Sequence, residues 1–276
     1  MTDNKKSILG IGVATMDIYV NKNKMCPGGN EVNVTVNASS LGAKCGFLGV
    51  FGDDEYGPLL EEHLVKNGVD VSYCHHEKGS SGYSHVELKD DGDRVFLDWN
   101  LEGVTDLYPI EFTEEEFRYV KSYDVTCLSL YSSVAIDKIQ LLNDYDVDIC
   151  YDFSSETDEN SIRDIAGYIK YGFFSCSHLT TNEIKKTLKT ATDCGCLIAI
   201  GTRGVDSVIA YDGTNWYEQP TFPVEHLVDA LGAGDSFIAA FLVALGKSAI
   251  PTKEEVSFAL EAAAKYASQK LSKPSL

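Results

Sequence analysis

The sequence predicts an α/β fold: a central, mostly parallel sheet flanked by helices on both faces, carrying a small β appendage. Three observations predict it. From Tyr123 onward, short apolar runs alternate with charged stretches of helical periodicity, the pattern of right-handed βαβ units. Ile8–Ala14 is likewise a short apolar run and reads as a buried strand. Between Tyr83 and Trp99, by contrast, polar and apolar residues mix around an Asp-Gly turn, as in a half-exposed hairpin.

Each element follows from local pattern. Ile8–Ala14 is the first buried strand, ending near Asp17, which reads as a loop residue. Gly28-Gly29-Asn30 turns the chain into a helix over Val32–Leu41, where apolar residues recur at helical spacing. Phe47–Phe51 is the next strand, closed by Gly52-Asp53-Asp54, and Leu59–Asn67 is an amphipathic helix stopped by Gly68. His75-His76 reads as a solvated loop in preference to a metal site, because no third ligand sits nearby. In the hairpin, Ser84–Leu88 and Arg94–Asp98 flank Asp90-Asp91-Gly92-Asp93. The cluster Glu111-Phe112-Thr113-Glu114-Glu115-Glu116 reads as the acidic first turn of a helix, placed well for its dipole. Val125–Leu130, Ile149–Phe153, Phe173–Cys176 and Leu197–Ile200 are the parallel strands, and Val208–Tyr211 with Trp216–Gln219 is a second hairpin. Ser236–Leu245, strongly apolar, and Glu254–Lys270 close the chain as helices. No repeat or low-complexity linker divides it, so residues 1–276 are expected to form one domain, with appendage strands from about 15–27 and 80–104.

Composition narrows the function classes. Of 276 residues 44% are apolar and 24% charged, enough for a packed core. Twenty-three Lys and Arg against 42 Asp and Glu give a net charge of −19. A nucleic-acid or anionic-membrane binder needs a positive field, so both are argued against. Any polyanionic ligand must instead be met locally, by backbone N–H groups, a few basic side chains or Mg²⁺. No apolar run approaches a membrane span. The N-terminal residues lead into a strand without a signal-peptide core. Most of the eight cysteines sit in apolar runs, and Cys194-Gly195-Cys196 has no second pair at zinc spacing. Reduced thiols in a cytoplasmic protein are expected, which leaves the sequons at Asn33 and Asn37 as chance matches.

The chemistry concentrates in Val228–Leu242. Gly232-Ala233-Gly234-Asp235 runs directly into an apolar helix. Small residues let the backbone approach a ligand closely, and the first-turn N–H groups of the helix point outward unpaired, a ready anion site. Asp235 stands beside that site, placed to take a proton from a hydroxyl. On spacing alone, a plain turn with an Asp cap explains Gly234-Asp235 equally well. Two near-misses are set aside. Gly246-Lys247-Ser248 imitates the end of a Walker A loop, but Phe241 stands where its first glycine belongs. Gly10-Ile11-Gly12 lacks the third glycine of a dinucleotide fingerprint, that place being Thr15.

Asp229-Ala230-Leu231-Gly232-Ala233-Gly234-Asp235 resembles the C-terminal signature of the PfkB, or ribokinase-like, carbohydrate kinases. Gly28-Gly29-Asn30-Glu31-Val32-Asn33, Leu41-Gly42, Phe47, Gly49 and Gly52-Asp53-Asp54-x-x-Gly57 resemble the N-terminal one. The resemblance spans nearly the whole chain. The Asp93–Phe96 run, Glu102-Gly103-Val104 and the short length are most similar to the fructoselysine 6-kinases within that family. It implies the ribokinase-like αβα sandwich with a β-sheet lid. It also implies ATP-dependent phosphorylation of a primary hydroxyl on a sugar or fructosamine, with Mg²⁺ as cofactor.

The resemblance further implies residue roles. Asp235 would be the base, and the N–H groups of Gly232, Ala233 and Gly234 the anion hole. Asp17, Gly28, Gly29 and Asn33 would hold the sugar. Gly201, Arg203 and Gly204 would lie along ATP, and Glu183 would act indirectly on the metal. Trp99 would either stack on substrate or pack against the core or a partner, and lid-to-lid packing would give a homodimer. Departures stand beside these matches. Thr180 replaces the Asn of the family's Asn-x-x-Glu motif, Ala199 a nucleotide-contacting threonine, and Ala230 and Leu231 the threonines of the signature. The last two leave the monovalent cation open. Fructokinase, ribokinase or nucleoside kinase activity, or a catalytically weak ligand-binding relative, are the alternatives.

Overall fold

The computed structural model describes residues 5–89, 94–100, 102–224 and 232–272. In chain order, β1 (Ile8–Ile11) is followed by the antiparallel pair β2 (Thr15–Tyr19) and β3 (Lys24–Gly28), then α1 (Asn30–Ser40). Next come β4 (Cys45–Leu48), β5 (Val50–Gly52), α2 (Gly57–Lys66), β6 (Val69–Asp70) and β7 (His75–Glu77). The pair β8 (Gly82–Leu88) and β9 (Arg94–Trp99) precedes α3 (Val104–Leu107) and α4 (Glu114–Val120). Regular alternation then begins: β10 (Val125–Ser129), α5 (Ile136–Asp144), β11 (Ile149–Asp152), α6 (Glu159–Ala166), β12 (Tyr171–Ser175), α7 (Thr181–Asp193) and β13 (Ile198–Thr202). The hairpin β14 (Val208–Tyr211) and β15 (Trp216–Gln219) leads to α8 (Ala233–Leu245) and α9 (Lys253–Leu271).

Among the described residues, nine strands form the main sheet in the order β15-β14-β13-β12-β11-β10-β1-β4-β6. It is parallel from β13 to β6, with the last hairpin antiparallel at one edge. Successive residues feed two cores. Ile8, Val125, Ile198 and Ile200 join α1, α2, α8 and α9 on one face. Leu9, Ile11, Leu128 and Ala199 join α3 to α7 on the other. That is the expected sandwich, and it explains why the strand runs are mainly apolar. Helix α8 packs on both α1 and α9, so it is apolar all round.

A second sheet, β3-β2-β8-β9, stands apart from the first. Its register places Cys26, Asp17, Ser84 and Trp99 in one row across the sheet, hence on one face. Asp17 therefore lies within a strand and not in the loop that local pattern suggested. Two other local readings are corrected. The run Phe47–Phe51 is two strands: β4 pairs with β1 as far as Leu48, and beyond Gly49 the chain leaves to pair β5 with β7. A Cβ on Gly49 would lie 2.7 Å from the Gly12 carbonyl, so the crossing needs a residue without one. His75 and His76 belong to β7, and each meets a carboxylate, Glu116 at 2.5 Å and Glu61 at 3.1 Å. The acidic helix turn is found at α4, where Thr113 and Glu116 close a capping box. The Asp90–Asp93 turn lies outside the described residues.

Candidate active site

The strand order reverses between β1 and β10, because β1 proceeds to β4 on one side while β10 to β13 extend on the other. In open α/β sheets the crevice at the carboxyl ends of strands flanking such a point receives ligands. Here Gly12 and Val13 follow β1, Ser129 ends β10 and Asp152 ends β11. The N-termini of α1 and α8 converge on the same edge, and the cleft between them is narrow, with about 10 Å³ of room, the space of a single water. Its lining includes Asn30, Glu31, Ser129, Asp152 and Asp235, with Val34 and Ile238 as apolar walls.

Two glycines set how α1 enters. Gly29 is its N-cap at φ 111°, and a Cβ there would lie 2.2 Å from the Val13 carbonyl. Neither the dihedral nor the contact admits another residue. A Cβ on Gly28 would sit 2.5 Å from Asp17 Oδ2, so this glycine makes room for that carboxylate. Asp17 is buried in β2, and Oδ1 accepts the Ser84 hydroxyl at 2.6 Å. The Gly52-Asp53-Asp54-x-x-Gly57 segment serves as a clamp at the root of the small sheet. Asp53 accepts the Gly79 N–H, while Asp54 accepts the N–H groups of Tyr56, Gly57 and Ser81. Burial pulls the Asp54 carboxyl upward, but these bonds and the Ser81 hydroxyl hold it below the usual carboxylate range.

Asp235 lies in the first turn of α8, only 9% exposed. Asn33, in the first turns of α1, donates through Nδ2 to Asp235 Oδ2 at 2.8 Å. Residues 202 apart in sequence are thereby joined across the cleft. Gly232 caps α8 in the left-handed conformation at φ 67°, and among the described residues no capping side chain bonds the helix's first N–H groups. A Cβ on Gly234 would meet nothing within 4 Å. The turn therefore presents unpaired amides and open space beside a carboxylate, which suits an anion next to a proton acceptor.

The cleft is strongly acidic. Burial, then the nearby Asp152 charge, push the Asp235 carboxyl well above its ordinary value against the Asn33 bond. Burial likewise lifts Asp152 to about 6, although the Ser154 N–H and Asn30 amide favour its charged form. Burial lifts Glu31 to about 7, offset in part by the Ser129 hydroxyl. Glu31 and Asp152 escaped the residue-by-residue sequence reading. The available signal was Asp152 at the carboxyl end of an apolar strand run, and a lone charge at Glu31 beside the buried Val32 and Val34.

The remaining sequence-predicted residues form a second group around the end of β13 and the start of α7. Gly201 packs closely, since a Cβ would lie 3.1 Å from Ile184 and 3.2 Å from Cys176 Sγ. Gly204 turns at φ 63° with nothing within 4 Å of a Cβ, and Arg203 reaches Ser207 and Asp206. Glu183 Oε2 accepts both the N–H and the hydroxyl of Thr180, completing a capping box on α7. Thr180 thus has a capping duty of its own at the motif's Asn position. Ala199 is wholly buried between strand and helices. Among the described residues, no hydrogen bond or ion pair links this group to Asp235. Asp229, Ala230 and Leu231 lie outside the described residues.

The family of pfkB carbohydrate kinases matches residues 5–276. Fructosamine kinase FrlD of Bacillus subtilis is 32% identical over 262 residues, 95% of this chain and 89% of that protein. Fructoselysine 6-kinase of Escherichia coli is 33% identical over 237 residues, covering 86% and 88%. Among solved structures, the fructokinase with bound ATP from Xylella fastidiosa aligns at TM-score 0.80 and 18% identity, covering 98% of this chain and 93% of that one. The Arabidopsis thaliana ribokinase complexed with ribose and ATP aligns at 0.77 and 20%, covering 98% and 100%. The chain belongs to the pfkB family of carbohydrate kinases, and its fold is ribokinase-like.

Proposed function

We propose that this pfkB-family kinase transfers the γ-phosphoryl group of ATP to a primary hydroxyl of a fructosamine, a sugar of the fructoselysine kind. The observation that carries the site assignment is the Asn33–Asp235 hydrogen bond, which brings both family signatures to one cleft. Fructosamine is the acceptor class by likeness to the two kinases of such sugars. Asp17, Gly28, Gly29 and Asn33 hold the sugar hydroxyls. Asp235 takes the proton from the acceptor hydroxyl as its oxygen bonds to the γ-phosphorus. The bond to the β–γ bridging oxygen breaks, and ADP leaves. The N–H groups of Gly232, Ala233 and Gly234 meet the charge on the phosphoryl oxygens. Burial of Asp235 makes it the stronger base once its proton is lost.

Gly201, Arg203 and Gly204 line the nucleotide in this reading. Mg²⁺ would neutralise phosphate charge. Among the described residues no three ligands gather closely enough to cage it, so one or two carboxylates of the Asp235 cleft would hold it together with the phosphates. Glu183 would act on it indirectly through Oε1, since Oε2 serves the capping box. Eight free thiols suit a reducing cytosol, which cell fractionation checks. Among the described residues, no helix is long and apolar enough to cross a membrane.

A coupled ADP-release assay over fructoselysine, psicoselysine, fructose, ribose, adenosine and 2-keto-3-deoxygluconate tests the acceptor class. No turnover of any of these with Mg·ATP overturns the reading. Asp235→Asn tests the base: turnover falls by about 10² to 10⁴, as for a lost general base, while sugar and ATP still bind. Turnover within tenfold of the unmodified chain refutes the assignment.

A further inference from the structure

We propose that Glu31 is the receptor for a protonated amine on the sugar substrate, and so selects an aminated ketose over its neutral parent. This rests on the kinase reading of the Asp235 cleft and deepens it. Glu31 sits in the first turn of α1, two positions before Asn33, and is 2% exposed. Its Oε1 is buried with no hydrogen-bond partner. A buried polar atom left in that state is rare, because it loses water and gains no partner; the same carboxyl also has the Ser129 hydroxyl and the main chain at Val13 beside it. The carboxyl lies at the strand-order reversal: a Cβ on Gly12, just beyond β1, would be 2.6 Å from Glu31 Oε2. It therefore reaches the place where an α/β sheet receives its ligand.

The surroundings call for a cation. Glu31, Asp152 and Asp235 line one cleft. Among the described residues, no lysine or arginine forms an ion pair with any of the three. Nor do these carboxylates gather closely enough to hold a bare metal ion. A positive charge fixed to a larger, hydroxylated molecule fits this spacing. The walls supplied by Val34 and Ile238 suit the methylene groups that flank an amine nitrogen.

The probes are 1-amino-1-deoxyfructose and fructose, which differ in an ammonium against a hydroxyl. On the unmodified chain, calorimetry without nucleotide should show the aminosugar binding at least tenfold more tightly, and equal or weaker binding overturns the proposal. In Glu31→Gln, the ratio of kcat/KM for the aminosugar over fructose should fall by about 30-fold or more, carried by KM, the order expected when a buried charge pair loses one member. A ratio within threefold of the unmodified chain overturns the role of Glu31 and leaves the kinase reading standing. An unmodified chain that phosphorylates neither probe nor any other sugar defeats the kinase reading itself. The binding comparison stands even where the variant fails to fold.

Discussion

Removing the Glu31 charge should stabilise the unliganded protein, and the size of the gain should depend on pH. The carboxyl titrates at about 7 in the folded chain against an ordinary 4.5, chiefly because burial disfavours its charged form. The Asp152 charge from β11 adds to the effect, while hydrogen bonds from the Ser129 hydroxyl and the main chain at Val13 oppose it. Tyr151 and Asp235, also close, feel the Glu31 charge in turn. Between those two values the folded state holds a proton that the unfolded chain has released. Stability therefore falls as pH rises through that window, by about 1.4 kcal/mol per pH unit. The penalty is absent below about 4.5 and complete above about 7, with a ceiling near 3 kcal/mol. Glu31→Gln removes it, so at pH 8 the variant should unfold up to about 6 °C higher, while at pH 4.5 the two proteins should melt together. Thermal melts of the ligand-free chain between pH 4.5 and 8.5 check this. A variant that melts lower at pH 8, or a difference that does not change with pH, refutes the reasoning. Asp152 and Asp235 remain in the variant, so some of the slope should survive.

Gly234→Ala should leave the melting temperature unchanged or slightly raised, because among the described residues its methyl group would meet nothing outside its own helix within 4 Å and alanine suits a helix better than glycine. The same methyl would enter the space proposed for the phosphoryl group, so KM for ATP should rise about tenfold or more. Kinetics like those of the unmodified chain would place the nucleotide elsewhere. Val20, Met25, Phe96 and Leu97 are exposed in and beside the small sheet, and lid-to-lid packing would cover those on the contacting face. Sedimentation equilibrium should give a dimer, and Leu97→Lys a monomer. A mass unchanged by that substitution rejects the lid as the interface.

The fold was legible because its causes are local. A parallel strand covered on both faces is mainly apolar, so Val125–Leu130 and Ile149–Phe153 announced themselves despite Thr126, Ser129 and Asp152. The half-exposed hairpin did so by mixing polar with apolar residues. What failed were the features set by a distant partner. Phe47–Phe51 is one apolar run, but β7 claims its second half, and nothing within five residues encodes that. The His75 and His76 side chains are exposed as the sequence suggests, at 38% and 58%, but they stand in a strand and meet Glu116 and Glu61 from other elements.

The site divides along the same line. Asp235 and Asn33 were found through spacing with a chemical reason, whereas Asp152 and Glu31 acquire meaning only when the ends of β10, β11, α1 and α8 meet. A formal charge of −19 says nothing about where that charge stands. The fold does: it drives three carboxylates out of water into one cleft and, among the described residues, pairs none of them with a lysine or arginine. Such an arrangement weakens the empty protein. It becomes favourable when positive charge arrives with the ligands, and a cleft built on that principle discriminates by charge before it discriminates by shape.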